Sequence, residues 1–108
     1  MEFGVSPLIN MSSFKDIIAS TKPTLIDFYA DWCGPCKMMP PILDEVRKKL
    51  GDSVRILKID VDKNPELSGQ LQIQGVPTLA IFKEGKVVWR QSGVIPAHQL
   101  VPIIKTYF

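Results

Sequence analysis

Thr24-Leu-Ile-Asp-Phe-Tyr-Ala30 runs straight into Asp31-Trp32-Cys33-Gly34-Pro35-Cys36-Lys37, and this stretch decides how the chain is read. Its first half is a short, nearly continuous apolar run. That pattern suits a strand buried on both faces, as in a parallel sheet. Its second half holds both cysteines of the chain. Pro35 suits the first turn of a helix, because the N–H it lacks would find no partner there. The cysteine pair therefore falls where a buried strand ends and a helix begins.

Reading outward, a helix over about 35–50 follows, with Met39, Ile42, Leu43, Val46 and Leu50 at helical spacing. Asp44 and Lys48, and Glu45 and Lys49, are placed to pair four residues apart on its other side, and Gly51 supplies a stop. Upstream, residues 12–20 read as a helix, with Ser13 as N-cap and Phe14, Ile17 and Ile18 in one apolar stripe. Downstream, Val54 to Val61 reads as a second buried strand, and Asn64-Pro65 caps and opens a helix ending near Gly75. Thr78 to Phe82 and Lys86 to Gln91 read as an antiparallel hairpin around Lys83-Glu84-Gly85. A last helix spans about 97–107, and Pro102 inside it predicts a kink. The pattern is α/β: a βαβ unit, then helix, hairpin and helix around a mixed sheet. An edge strand before residue 12 is only weakly signalled.

Composition narrows the function. The chain has 108 residues, 13 Lys plus Arg, 11 Asp plus Glu and a net charge of +2. Such a chain buries roughly 65% of its unfolded surface, enough for one domain with its own core. Two cysteines cannot build a disulfide-dense secreted scaffold. A charge of +2 is weak evidence for nucleic-acid binding, which usually needs a clustered basic face, so no nucleic-acid partner is expected. No apolar run approaches the ~18 residues of a membrane span, so no membrane partner is expected. Met1-Glu2-Phe3-Gly4 lacks a basic leader region, and Ser6 and Pro7 break the run to Ile9. A cytoplasmic setting is expected, with a removed leader as the open alternative.

The spacing of Cys33 and Cys36 points to redox chemistry. A bridge closing so short a loop removes little unfolded-chain entropy, so a purely structural role is disfavoured. Zinc needs about four ligands, and only His98 remains as a further N or S donor, so a metal site would take a dimer. Haem attachment needs His after the second cysteine, where Lys37 stands. The unpaired N–H groups and dipole of a helix start favour a thiolate at Cys33, Lys37 adds positive charge, and Cys36 lies on nearly the same face. Asp27 interrupts the buried strand, and an isolated buried carboxylate must be paired or protonated. Lys58 interrupts Ile56-Leu57-Lys58-Ile59 and is its natural charge partner.

Here the chain resembles the thioredoxin family. Asp27-Phe28-Tyr29-Ala30, Trp32-Cys33-Gly34-Pro35-Cys36-Lys37, Lys58-Ile59-Asp60, Gly75-Val76-Pro77-Thr78, Phe82-Lys83-Glu84-Gly85 and Gly93 occur in matching order from about residue 12 onward. The resemblance implies a single thioredoxin-fold domain over 1–108, its mixed sheet of four to five strands flanked by helices on both faces. Residues 1–11 are then irregular or a reduced edge strand. It implies that Cys33 attacks a protein disulfide and Cys36 resolves the mixed disulfide. Gly34, Pro35 and Lys37 then tune the pair. A thioredoxin reductase recycles it with electrons from NADPH, and a monomer carries no bound cofactor or metal. Asp27 becomes the proton acceptor for Cys36, through water, with Lys58 coupled to it.

The resemblance also makes Pro77 a cis proline beside the cysteines, where the Val76 backbone pairs with an extended substrate segment. Trp32, Gly75, Val76, Pro77, Gly93 and Val94 form a flat apolar surface around an exposed Cys33 sulfur. Three features depart from the family. Tyr29 stands where tryptophan is common, Pro40-Pro41 doubles a single proline, and Trp89 is a bulky aromatic in the last strand. Two rivals remain: an oxidase or isomerase on the same fold, which Gly34-Pro35 disfavours, and a binding subunit whose cysteines are incidental.

Overall fold

Alternation along the strands sends neighbouring side chains to opposite faces of one sheet, and two apolar cores result. The computed structural model describes residues 4–5 and 9–108. Strand β2 (Thr24–Tyr29) lies at the centre, and nearly all of it is buried. Its Leu25 joins a core with Met39, Leu43, Val46, Leu100 and Ile104, whereas Ile26 and Phe28 join a second with Phe14, Ile18, Ile59 and Leu67. The first core belongs to helices α2 (Met39–Leu50) and α4 (Ala97–Lys105), the second to α1 (Met11–Ile18) and α3 (Pro65–Gln70). Helices thus cover both faces. Each fully buried aliphatic or aromatic side chain stabilises the fold by roughly 1.5–3 kcal/mol.

The sheet has five strands in the order β1-β3-β2-β4-β5. Strand β3 (Arg55–Asp60) runs parallel to β2 and sets Asp27 against Lys58 and Tyr29 against Asp60. Strand β4 (Thr78–Lys83) runs antiparallel to β2 on its other side and sets Leu79 against Asp27. Strand β5 (Lys86–Ser92) closes the hairpin and forms the exposed edge of the sheet, with a register shift between Ile81 and Phe82. Glu84 and Gly85 have φ of 53° and 83°, the paired positive values of a type I′ turn. The reduced edge strand is β1 (Gly4–Val5), parallel to β3. The remainder of that expectation, at residues 1–3 and 6–8, lies outside the described residues.

Three boundaries differ from expectation, each for a local reason. Helix α1 begins earlier, because Asn10 rather than Ser13 is the N-cap: the Ser13 N–H donates to Asn10 Oδ1 at 2.8 Å. The long helix opens as a 3₁₀ turn over Pro35–Met38 and becomes α only at Met39. Pro40 and Pro41 lack N–H groups but sit in the first turn of α2, where no intrahelical acceptor is required of them. The Cys36 carbonyl, which Pro40 cannot serve, accepts from the Met39 N–H. Helix α3 stops at Gln70, short of Gly75. The Ile73 N–H donates to the Ser68 carbonyl and the Gln72 N–H to that of Gly69, around Gln72 at φ 57°. This is a Schellman stop with glutamine where glycine is usual.

Asn64 does precede α3, but its side chain makes no cap. It donates to the Asp60 carbonyl and accepts from the Ile9 N–H, tying the segment before α1 to the end of β3. Helix α4 runs unbroken through Pro102. On α2, Lys49 and Glu45 pair at 3.3 Å on the exposed face. The Asp44–Lys48 pair does not form among the described residues. Trp89 packs against the core shared with α2 and α4, an ordinary sheet contact.

Candidate active site

At the end of β2 the chain leaves the sheet, and Cys33 and Cys36 close on each other as a disulfide with Cα atoms 5.3 Å apart. The loop is set by the Cys33 N–H donating to the Ala30 carbonyl and the Lys37 N–H to that of Gly34. The Cys36 N–H donates to Cys33 Sγ at 3.1 Å. That donor, at the start of the helical segment, favours negative charge on Cys33 once the pair is reduced. The expected exposure of the sulfur is corrected, since Cys33 is only 3% exposed. Trp32 beside it is 72% exposed, and its indole N–H donates to Asp62 Oδ2 at 2.7 Å. The ring is thus held at the surface rather than in the core.

The second wall comes from the loop before β4. The Val76–Pro77 peptide is cis, Pro77 is buried and Val76 is half-buried. The Val76 carbonyl oxygen lies 3.6 Å from Cys33 Sγ. Thr78 Oγ1 donates to the Gly75 carbonyl at 2.6 Å, and the Gly93 N–H to that of Pro77 at 2.8 Å. Gly93 takes φ 100°, which only glycine adopts readily, so its place in the sequence is a backbone requirement. Val94 differs from the others: it packs against the α2 and α4 core. Gly34, Pro35 and Lys37 are exposed around the disulfide.

Below the disulfide, Asp27 is fully buried and neither carboxylate oxygen has a hydrogen-bond partner among the described residues. Burial pushes its pKa from 3.8 up to about 7, against the pull of Lys58. Lys58 stands beside Asp27 across the strands, yet no ion pair within 4 Å joins them among the described residues. Its ammonium instead lies 4.4 Å from the centre of the Tyr29 ring. The two are coupled through space, which corrects the expected pairing. Tyr29 itself is raised above the ordinary phenol range by burial, then by Asp60, Asp31 and Asp27.

The sequence reading missed Asp62, and it treated Tyr29 only as a mild aromatic change. An indole N–H in an exposed motif needs an acceptor, but nothing in the spacing says which carboxylate supplies it. Among the described residues no group of three or more His, Cys, Asp or Glu could hold a metal ion. No helix there is long and apolar enough to cross a membrane.

Comparison with known proteins agrees with this geometry. The family model described as Thioredoxin matches residues 5–106. The chain is 48% identical over 96 residues to thioredoxin Y, chloroplastic, of rice, covering 88% of this chain and 57% of that protein. It is 46% identical over 97 residues to a thioredoxin-like protein of Synechocystis, covering 89% and 92%. The crystal structure of a chloroplastic thioredoxin z superposes with a TM-score of 0.82 at 34% identity, over 99% of this chain and 96% of that one. With the cysteine pair, the cis peptide and the buried carboxyl in these places, the chain belongs to the thioredoxin family of thiol–disulfide oxidoreductases.

Proposed function

We propose that the chain works as one monomeric domain that reduces disulfides in partner proteins and is recycled by a thioredoxin reductase drawing on NADPH. The observation that carries this reading is the Cys33–Cys36 disulfide set against the Val76 carbonyl of the cis peptide. In the reduced protein, the Cys33 thiolate attacks one sulfur of a partner disulfide. A Cys33–partner bond forms, the partner disulfide breaks, and the released thiolate takes a proton from water. Cys36 then gives its proton to Asp27, through water, and attacks Cys33 Sγ. The Cys33–Cys36 bond forms, the mixed disulfide breaks, and the second partner thiolate leaves. Two electrons have passed to the partner.

Each surrounding group has a part in this reading. Trp32, Gly75, Val76 and Pro77 receive an extended partner segment, with the Val76 backbone available for strand-like pairing. Gly93 holds Pro77 in place, and Val94 supports that wall from behind. Gly34, Pro35 and Lys37 set the poise of the pair. Asp27, near neutrality, takes a proton without needing strong alkali. A reducing setting such as the cytoplasm fits this direction of transfer, although three relatives are named as chloroplastic.

The test is trapping. Cys36→Ser is expected to accumulate a mixed disulfide with a protein substrate, and Cys33→Ser to form none. Full disulfide-reducing activity in either variant overturns the reading. Equilibration of Cys33–Cys36 with glutathione separates the rivals. A strongly reducing couple supports the reductase, and a mildly oxidising one supports an oxidase or isomerase.

A further inference from the structure

Four ionisable side chains share the sheet face beneath the disulfide. Strand β2 contributes Asp27 and Tyr29, and β3 contributes Lys58 and Asp60, directly opposite them in register. From the following loop comes Asp31, and from the 3₁₀ turn Lys37. The neighbouring positions on α2 and β4 are the uncharged Pro40 and Leu79. An open cleft of about 130 Å³ lies here, lined by Tyr29, Asp31, Cys36, Lys37, Pro40 and Lys58. Cys36 and Lys58 therefore line the same small volume.

A lysine in that volume has several acidic groups to choose among, and a flexible four-carbon stem with which to reach them. It takes none of them within ion-pair distance among the described residues. It rests over the Tyr29 ring at 4.4 Å, inside the range where the face of an aromatic ring attracts a cation. Asp27 has no hydrogen bond to hold it among the described residues, so the field of nearby charge is the main counterweight to its burial. Where the ammonium sits decides how strong that field is, because Coulomb attraction changes steeply over a few ångströms in a half-buried site.

We propose that Tyr29 is a positioning residue of the resolving step: its ring seats the Lys58 ammonium and so sets how strongly that charge acts on Asp27. The proposal rests on the reading of Asp27 as the proton acceptor for Cys36. It gives the aromatic residue at position 29 a task separate from core packing. Tyr29 packs against the small buried cluster of Ala30, Cys33 and Cys36, but in this account it takes no part in the bond changes at the sulfurs.

The test follows the Asp27 carboxyl by carbon NMR as pH is varied, in the parent, Tyr29→Phe and Tyr29→Leu. Without a ring the ammonium disperses into solvent, and the Asp27 midpoint is expected to rise by about half a pH unit or more. The pH profile of mixed-disulfide resolution should move the same way. Tyr29→Phe keeps the ring face and is expected to keep the parent midpoint. In a Lys58→Met background, Tyr29→Leu should add no further shift. An unchanged midpoint in Tyr29→Leu, or an equal shift with and without Lys58, overturns the proposal.

Ring-current displacement of the Lys58 ε-methylene protons gives a second readout. It should be present in the parent and Tyr29→Phe and lost in Tyr29→Leu, and its absence in the folded parent overturns the seat. Failure of the underlying reading looks different. Asp27→Asn would then resolve mixed disulfides at the parent rate, while the NMR shifts in the Tyr29 variants still report the seat.

Discussion

A carboxyl group with both oxygens buried and unpartnered is at ease in the fold only while it keeps its proton. For Asp27 the folded pKa of about 7 lies above the 3.8 of an open chain. Below about pH 3.8 both states hold the proton and nothing is lost. As pH rises toward 7 the unfolded chain releases its proton first, so stability falls, and the loss is complete above about 7. That interval corresponds to ~4 kcal/mol at most. Asp27→Asn cannot ionise, so its stability relative to the parent should climb by up to that amount between about pH 4 and pH 8. Urea unfolding at a series of pH values checks this; a constant difference would mean that Asp27 is solvated.

At this scale the sequence carried much of the site. Cys33 and Cys36 stood out by spacing, and Asp27 and Lys58 by interrupting apolar strands. The Lys58 seat on Tyr29 and the Trp32–Asp62 bond were not legible, because side-chain partners across strands and loops follow from register and rotamer rather than from local pattern.

At the scale of elements, apolar pattern and turn or cap residues placed the four helices and the strands β2 to β5, and the parallel and antiparallel pairings followed from connection length. Ends were harder, because the groups that stop a helix are often remote. Gln72 shows this. Glutamine carries no stop signal, yet the two carbonyls at the end of α3, Leu71 and Gln72, accept from the Arg90 guanidinium on β5. A residue with a Cβ costs roughly 1 kcal/mol or more in the left-handed conformation that Gln72 adopts at φ 57°. Gln72→Gly is therefore expected to raise the unfolding free energy by about 1 kcal/mol in chemical denaturation. A drop would show that the Gln72 side chain makes up for its own strain.

The whole molecule is a sheet clamped between two cores, with the reactive pair at one end of the central strand. Leu43 is fully buried in the core beneath α2 and α4. Leu43→Ala should cost roughly 2–5 kcal/mol in denaturant unfolding, through lost burial and the cavity left behind. A cost below about 1 kcal/mol would mean that the core relaxes around the gap. The architecture was legible because the apolar strands and the amphipathic helices agree with one another. The two-residue strand β1 was not, since so short a segment has no period to read.

Among the described residues, strand β5 leaves one long rim of the sheet without a neighbour. An open row of backbone donors and acceptors invites a second molecule to dock edge to edge and begin an aggregate. Here the rim is guarded: Lys86 and Arg90 are exposed along it, and the register shift at Ile81–Phe82 breaks the regular ladder behind it. Two copies approaching rim to rim would bring lysine and arginine against lysine and arginine. Like charge then opposes such an approach.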